Sequence, residues 1–236
     1  METGLKKGIF YGVGVGPGDP ELLTLKAVRL LRECEVIGIP GKDPSESVAY
    51  KIAVAACPEI AEKEHLLLPT PMTKDLSLLN ANYAECAKKV EGVLDTGRSV
   101  ALITLGDPTV YSTYMYVQRF VVADGYAAEI VSGIPSFCAV AARFNDSLAD
   151  REEQLHIIPA SYDIETALTY PGNKVLMKAA SKLDKVKAIL QKNGQQAMMI
   201  ENCGMADERI HYSTEEIPEK GSYYSLLIVK DAPPEQ

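Results

Sequence analysis

The chain has 236 residues, of which 47% are hydrophobic and 24% are charged, a composition typical of a soluble globular protein with one large or two compact domains. Its formal net charge of −8 argues against broad attraction to nucleic acid or to an anionic membrane. The sequence contains neither an apolar run of ~20 residues nor a signal-peptide pattern, so we expect a cytoplasmic protein. The five cysteines are widely spaced without a C-x-x-C pair, which favours reduced thiols over a zinc site or disulfides.

Short β-rich runs alternate with helical patterns along the first 131 residues. We expect strands at 9–15, 36–39, 64–68, 99–105 and 128–131. We expect helices from Asp19, at 45–57, at 80–94 and from near Tyr111. Asp19 is a suitable N-cap for the first helix, with Pro20 at its first position. The run 99–105 is almost wholly apolar, which is typical of a central strand in a parallel sheet.

The rest of the chain has a mixed pattern. We expect helices at 137–144, 164–170 and 183–193, and strands at 155–158, 174–177 and 195–201. Two last strands, 208–212 and 223–229, have no helix between them and are predicted to be antiparallel partners. The fold prediction is therefore α/β, with a mainly parallel sheet in a first domain, 1–131, and a mixed sheet in a second domain, 132–236.

Two strand-to-helix loops have an unusual composition. Four glycines alternate with other residues between positions 12 and 18, but no register of them fits the G-x-G-x-x-G dinucleotide fingerprint. Residues 16–21 contain two prolines, two carboxylates and no Lys or Arg, and the loop 106–111 also lacks a cation. These loops suit a neutral or positively charged ligand, such as a sulfonium, better than a phosphate. They also fit ordinary strand-to-helix turns, and the residues alone leave both interpretations open.

Other residue types that often mark active sites have structural interpretations. The three histidines lie far apart in sequence, without metal-ligand spacing. Four aromatic residues at helical spacing fit either a flat ligand pocket or packing in a core or dimer interface; they are Tyr111, Tyr114, Tyr116 and Phe120. Ser136 has no G-x-S-x-G context, so a nucleophile elbow is not indicated.

Six segments, in their order and spacing, resemble the tetrapyrrole methylase family, the S-adenosylmethionine (SAM) methyltransferases that modify precorrins. These segments are Gly12–Pro20, Leu105–Thr113, Ser132–Ser136, Val175–Lys178, Glu201–Met205 and Tyr223–Val229. The resemblance covers nearly the whole chain. The forms LGDPTVYST, ENCGM and YYSLLIV are most similar to the precorrin-2 or cobalt-factor II C20-methyltransferase branch.

The resemblance implies two α/β domains with SAM in a cleft between them, no protein-bound metal, and a homodimer. It implies cofactor contacts by ten residues: Pro17, Leu105, Gly106, Asp107, Val110, Pro135 and Ser136 near the methionine part, and Met177, Cys203 and Leu226 around the adenine. Relatives that methylate uroporphyrinogen carry Gly in place of Leu105 and Thr-Ala in place of Pro135-Ser136, so this chain departs from them there. For the dimer, we expect apolar helix surface from Tyr114, Tyr116, Phe120 and Val121.

Methyl transfer from a sulfonium is an in-line displacement, so the enzyme mainly holds the acceptor carbon about 3–3.5 Å from the methyl group. An electron-rich meso carbon of the tetrapyrrole would be the nucleophile, and a tyrosine or water could accept the departing proton. Tyr111 and Tyr114 are the candidates, on the substrate side of the cofactor. Any cobalt would arrive with the substrate. Candidates for binding the substrate carboxylates are Lys42, Arg119, Arg143 and Lys178.

Several alternatives stay open at the level of sequence. One is a methyltransferase of the same fold that acts on another precorrin position, a protein side chain or ribosomal RNA, although the acidic charge argues against RNA. Another is a non-catalytic metabolite-binding module. A nucleotide-dependent oxidoreductase is opposed by the glycine spacing. We also expect Asp107→Arg to abolish cofactor binding without unfolding the protein, because Asp107 follows the carboxyl end of an apolar strand.

Overall fold

The computed structural model describes residues 6–159 and 162–231. The chain divides into two compact units, Met1–Pro135 and Ser136–Gln236. One unit contains a five-stranded parallel sheet and the other a five-stranded mixed sheet, so the predicted α/β class is confirmed. The domain boundary at 131 and 132 stays a prediction.

The first unit has its sheet between two layers of helices. Its strands are β1 (Phe10–Gly14), β2 (Val36–Pro40), β3 (Glu64–Leu68), β4 (Val100–Thr104) and β5 (Ala128–Val131), in the parallel order β3-β2-β4-β1-β5. Its helices are α1 (Leu25–Glu33), α2 (Val48–Ala56), α3 (Leu76–Leu94) and α4 (Tyr114–Ala123). Helices α1 and α2 pack on one face of the sheet, and α3 and α4 on the other. The central strand β4 is therefore apolar because it is covered on both faces.

The prediction of one continuous first helix is wrong, because the chain forms two separate helices there. Asp19 caps a short 3-10 helix, Pro20–Leu22, by accepting a hydrogen bond from the Glu21 N–H at 2.9 Å. The backbone is then extended at Thr24, whose hydroxyl accepts a hydrogen bond from the Ala27 N–H at 3.1 Å and begins α1. A second capping side chain thus restarts the helix five residues after the expected start.

The described residues of the second unit form the α-helices α5 (Ser136–Phe144), α6 (Ile164–Ala167) and α7 (Leu183–Asn193). Its strands are β6 (Leu155–Pro159), β7 (Asn173–Met177), β8 (Gln196–Glu201), β9 (Arg209–His211) and β10 (Ser225–Lys230), in the order β6-β7-β10-β8-β9. Strands β6 and β7 are parallel, and β10 is antiparallel to both β7 and β8. Helices α6 and α7 cover one face, while α5 lies against β10.

The prediction that the last two strands pair with each other is wrong. Strand β9 pairs with β8, and β10 lies on the other side of β8. The burial of the two strands explains this order, since five of the six residues of β10 are buried and β9 has no buried residue. A strand whose four central residues are apolar occupies the interior of the sheet, and a short, more polar one occupies the edge.

Within the part of the chain that the structure describes, no helix is long and apolar enough to cross a membrane.

Tyr114, the first residue of α4, packs directly over β1. Its side chain is 1% exposed, and its ring centroid lies 5.0 Å from that of Phe10. The phenol donates a hydrogen bond to the carbonyl oxygen of Glu129 in β5 at 2.9 Å. A Cβ at Gly12 would lie 2.5 Å from carbon atoms of the tyrosine ring, so only glycine leaves room for it. This contact fixes α4 on two strands at once.

We expect Gly12→Ala to lower the free energy of unfolding by about 1–3 kcal/mol, because the added methyl group displaces the Tyr114 ring in a packed core. Gly92→Ala in α3 is the matched control. Its added Cβ meets nothing within 4 Å, so a gain of up to about 1 kcal/mol is expected from helix propensity. Urea unfolding measures both variants. If Gly12→Ala costs as much in a Tyr114→Ala background as in the wild type, the ring contact is not the cause.

Candidate functional site

The carboxyl ends of β1 and β4 form a switch point in the parallel sheet. These two strands are neighbours, but β1 continues into α1 on one face and β4 continues towards α4 on the other. In open α/β sheets, ligands bind outside the strand ends where adjacent loops diverge in this way. The two loops that sequence composition singled out both begin here.

Three main chains approach one another at this edge without side chains between them. Gly16 and Gly106 exchange two backbone hydrogen bonds, of 3.3 and 2.8 Å, and both have a positive φ, of 73° and 71°. A Cβ at Gly14 would lie 2.6 Å from the carbonyl oxygen of Gly106 and 2.6 Å from the nitrogen of Gly133. A Cβ at Gly133 would come even closer to the same carbonyl oxygen. The loops after β1, β4 and β5 therefore meet through glycine backbone.

The Asp107 carboxylate holds two of these loops together. It is 7% exposed, and one oxygen accepts hydrogen bonds from the N–H and the hydroxyl of Thr109, at 2.8 and 2.5 Å. The other oxygen accepts a hydrogen bond from the Gly133 N–H at 3.0 Å. An arginine has no acceptor to replace these contacts and needs more space. Asp107→Arg is therefore expected to lower the stability of these loops, and the survival of its fold stays a prediction.

The structure gathers the first group of predicted cofactor residues around this edge. Pro17 and Gly106 are buried, and Leu105, Val110 and Pro135 are half-buried. Pro135 is the last residue of the first unit, and Ser136 begins α5 of the second. These residues offer mainly backbone groups and apolar surface rather than charge.

The second unit brings its three predicted cofactor residues to one end of the mixed sheet. Leu226, at the start of β10, is opposite Met177, the last residue of β7, and opposite Ile200 near the end of β8. Cys203 lies two residues after β8. Leu226 is 4% exposed while Met177 and Cys203 are half-buried. This end of the sheet therefore presents the backbone of three neighbouring chain segments.

A polar network that sequence reasoning missed joins the segments after β8 and before β10. The buried Glu201 carboxylate accepts hydrogen bonds from the Ser222 N–H at 2.7 Å and pairs with His211 Nε2 at 3.1 Å. Asn202 accepts a hydrogen bond from the Ser222 hydroxyl at 2.5 Å and donates one to Asp207 at 2.8 Å. These contacts fix the backbone on both sides of Cys203. The only signal in the sequence was the polar pair Glu-Asn at the end of an apolar strand.

Strained backbone is concentrated in these loops. Tyr111, Lys178 and Asn202 have positive φ angles of 50°, 58° and 53° and follow the ends of β4, β7 and β8. For a residue other than glycine this conformation costs about 1–2 kcal/mol. Such costs collect at functional sites more often than elsewhere, although Asn tolerates the conformation better than Tyr or Lys.

The candidate role of Tyr114 on the substrate side is wrong, because its side chain lies inside the first unit beneath β1. Burial raises the pKa of its phenol and also keeps it out of reach of a ligand at the surface. Helix α4 begins at Tyr114 and not near Tyr111. Tyr111 is 50% exposed in the loop before it and keeps its candidate role.

The four basic candidates have different surroundings. Arg143 bonds through Nε to Glu208 at 2.7 Å, and the Arg119 guanidinium lies 5.5 Å from the Tyr116 ring centroid. Lys42 and Lys178 are exposed in loops after β2 and β7. Arg143 is therefore already neutralised within its own unit.

No cluster of three His, Cys, Asp or Glu side chains that could hold a metal ion occurs within residues 6–159 and 162–231. The three histidines each have local partners, namely Tyr50 and the Ile60 carbonyl for His65, the Pro171 carbonyl for His156 and Glu201 for His211. That the protein binds no metal stays a prediction.

The sequence profile of the tetrapyrrole (corrin/porphyrin) methylases matches residues 10–218. A probable cobalt-precorrin-2 C(20)-methyltransferase from Methanocaldococcus jannaschii is 35% identical over 224 residues, which span 93% of this chain and 95% of that protein. The cobalt-precorrin-2 C(20)-methyltransferase of Salmonella typhimurium is 28% identical, over 94% of this chain and 96% of that protein.

Among solved structures, a uroporphyrin-III C-methyl transferase from Thermus thermophilus, complexed with S-adenyl homocysteine, has a similar fold. The TM-score is 0.68 at 23% sequence identity, and the match covers 95% of this chain and 98% of that one. The likeness shows the fold.

We expect Asp107→Ala to lower the free energy of unfolding by about 1.5–3 kcal/mol, because it leaves the Gly133 and Thr109 N–H groups without their charged acceptor. Asp107→Asn keeps one acceptor and should lose less. Asp19→Ala is the matched control, since Asp19 accepts a single hydrogen bond in a more exposed loop and should cost about 0.5–1 kcal/mol. Thermal and urea unfolding measure all three. Equal losses at positions 19 and 107 would contradict the role of Asp107 between the two loops.

Proposed function

Since this chain belongs to the tetrapyrrole (corrin/porphyrin) methylases, we propose that it transfers a methyl group from SAM to the C20 meso carbon of precorrin-2 or cobalt-factor II, in cobalamin biosynthesis. Family membership confirms the resemblance drawn from the six sequence segments. The observation that carries the C20 assignment is the likeness, along nearly the whole chain, to C20-methyltransferases.

The chemical groups at the strand ends of the first unit, mainly backbone without a cation, fit SAM. At Gly14 and Gly133 the main chains of neighbouring loops are in direct contact with no room for a Cβ, and the backbone around Gly106 is held by Asp107. Residues 14–20 and 105–111 contain no Lys or Arg, so no fixed cation opposes a sulfonium there. When bound, SAM supplies an electrophilic methyl group.

The residues that we propose to hold SAM all come from the strand-end loops described above. They are Pro17, Leu105, Gly106, Asp107, Val110, Pro135, Ser136, Met177, Cys203 and Leu226. The carboxylate of Asp107 is already engaged by Thr109 and Gly133. We therefore propose that Asp107 contributes to SAM binding through its backbone groups, through the negative electrostatic potential of its carboxylate, and by keeping the two loops at a fixed spacing.

The tetrapyrrole carbon is itself the nucleophile, so the chain has to orient the ring and receive or release one proton. With Tyr114 buried, we propose that Tyr111 limits the rotation of the ring and that Tyr111 or water takes the proton. Its strained backbone, with φ of 50°, supports a role that depends on side-chain direction. Cobalt, where present, belongs to the substrate.

We expect the purified protein to methylate precorrin-2, cobalt-factor II or both at C20 when given SAM carrying a labelled methyl group. NMR assignment of the labelled carbon in the product places the methyl group, and parallel reactions with and without cobalt identify the preferred substrate. Calorimetry should show heat with SAM and none with NAD. A label at C2, C7 or C17 would contradict the C20 assignment and leave the methyltransferase class intact. Binding of NAD without binding of SAM would contradict the class.

We also propose that the enzyme works in the cytoplasm as a homodimer. The apolar helix surface that we expected for the dimer is smaller than predicted, because Tyr114 and Val121 are buried within the first unit. Tyr116 and Val122 of α4 are 45% and 48% exposed. These two exposed apolar groups, six residues apart on α4, are the part of the helix surface that remains for a contact with a second copy.

We expect light scattering to give twice the mass of the 25.6 kDa chain at micromolar concentration. Val122→Lys should shift the protein towards monomer, because it places a charge in the proposed contact. Arg119→Lys, on the same helix, keeps the charge and serves as the control. A monomeric wild-type protein at micromolar concentration would contradict the homodimer.

A further inference from the structure

Lys178 occupies a backbone position that favours glycine. It directly follows β7, and its φ of 58° lies in the left-handed region, which glycine adopts without strain. Its side chain is exposed, and its ammonium group forms no hydrogen bond or ion pair with the residues that the structure describes. Neither local conformation nor a partner among the described residues therefore accounts for a lysine here. Strained backbone is found at ligand contacts more often than elsewhere, and here it lies at the end of the mixed sheet that holds Met177 and Leu226.

Two exposed aromatic rings lie at the same end of the mixed sheet. Because Leu226 of β10 is opposite Met177 of β7, the residues just before β10 and just after β7 lie at one edge. Tyr223 and Tyr224 are 52% and 37% exposed, and their ring centroids are 5.2 Å apart in an edge-to-face arrangement. The two perpendicular rings form no single plane, but both offer exposed aromatic surface at the end of the sheet where Lys178 lies.

The backbone that carries these rings is fixed. The Tyr224 N–H donates a hydrogen bond to the Ser222 hydroxyl at 3.2 Å, and the Tyr224 carbonyl accepts one from the Asn202 N–H at 3.2 Å. The acidic groups of the neighbouring loop are already engaged, since Asp207 bonds to Asn202 and Glu208 to Arg143. Lys178 thus contributes a positive charge that these carboxylates do not take up.

We propose that Lys178, Tyr223 and Tyr224 form a subsite for the tetrapyrrole, in which the tyrosine rings contact the flat macrocycle and the Lys178 ammonium binds one of its carboxylates. This inference rests on the proposed function, because it takes the tetrapyrrole as the ligand. The shared chemistry is a carboxylate, which SAM also carries. The tetrapyrrole fits better, because it combines several carboxylates with a broad apolar face that matches the two rings.

Lys178→Gly tests the charge without adding backbone strain. Arg151→Gly is a matched control, because Arg151 is also an exposed cation with a positive φ, of 47°. It precedes the start of β6, which runs parallel to β7, and so lies at the opposite end of the sheet from Lys178. Both variants exchange a strained basic residue for glycine, and both should unfold close to the wild-type temperature.

The measurement is equilibrium binding of precorrin-2 or cobalt-factor II, followed by absorbance, together with KM and kcat. We expect Lys178→Gly to weaken tetrapyrrole binding and raise KM by about tenfold, the effect of one charge-assisted hydrogen bond, with kcat at saturation within about twofold. Lys178→Arg should restore most of the affinity. Added salt should weaken wild-type binding more than binding by Lys178→Gly, because salt screens the lost charge. Tyr223→Ala should also raise KM, and Tyr223→Phe should not.

Unchanged tetrapyrrole affinity in Lys178→Gly, or an equal loss in Arg151→Gly, would overturn the subsite. A loss of SAM affinity in Lys178→Gly, measured by calorimetry, would also overturn it, since the carboxylate would then belong to SAM. Binding is measured without turnover, so the subsite is tested independently of methyl transfer. A wild-type protein that binds the tetrapyrrole through Lys178 but transfers no methyl group would contradict only the proposed function.

Discussion

The close approach of three main chains at Gly14, Gly106 and Gly133 is the constraint on which the candidate site of the first unit depends. A Cβ at position 14 or 133 would overlap the neighbouring backbone, so the carboxyl ends of β1, β4 and β5 can meet only through glycine. Asp107 then maintains the spacing, because its two oxygens bind N–H groups from different loops. The edge of the sheet is consequently a rigid surface of backbone groups, suited to a ligand that is recognised by shape and peptide groups.

The second unit positions its own candidate residues with side chains. Glu201 is buried, and a buried carboxylate is stable only when its oxygens are hydrogen-bonded; Ser222 and His211 supply those bonds. Asn202 extends the network to Asp207. The loop after β8 and the turn before β10 are therefore coupled, and the positions of Cys203 and Leu226 are set together. Lys178, which follows the strand next to β10, has a left-handed backbone that no such network among the described residues holds. We therefore propose its side chain as a contact for the substrate.

Two tyrosines that lie three residues apart in the sequence have different environments. Tyr114 fits into the space left by Gly12 and bonds to a carbonyl of β5, so it joins a helix to the sheet. Tyr111 lies in the preceding loop and is half exposed. The same residue type at nearly the same place thus packs in the core in one case and is half exposed in a loop in the other.

Much of the local structure could be predicted from the sequence. Strands β3 and β5 and helix α7 have the predicted bounds, because alternation, apolar runs and caps depend on residues close together in the chain. The two cation-free loops and the family resemblance also came from the sequence, since composition and motif order do not depend on folding. The pairing of β10 with β7 and β8, the burial of Tyr114 and the engagement of Asp107 by Gly133 were decided only by tertiary structure. Each of these depends on contacts between segments far apart in the chain, and no local pattern records which hydrogen bonds and which surfaces those contacts will use.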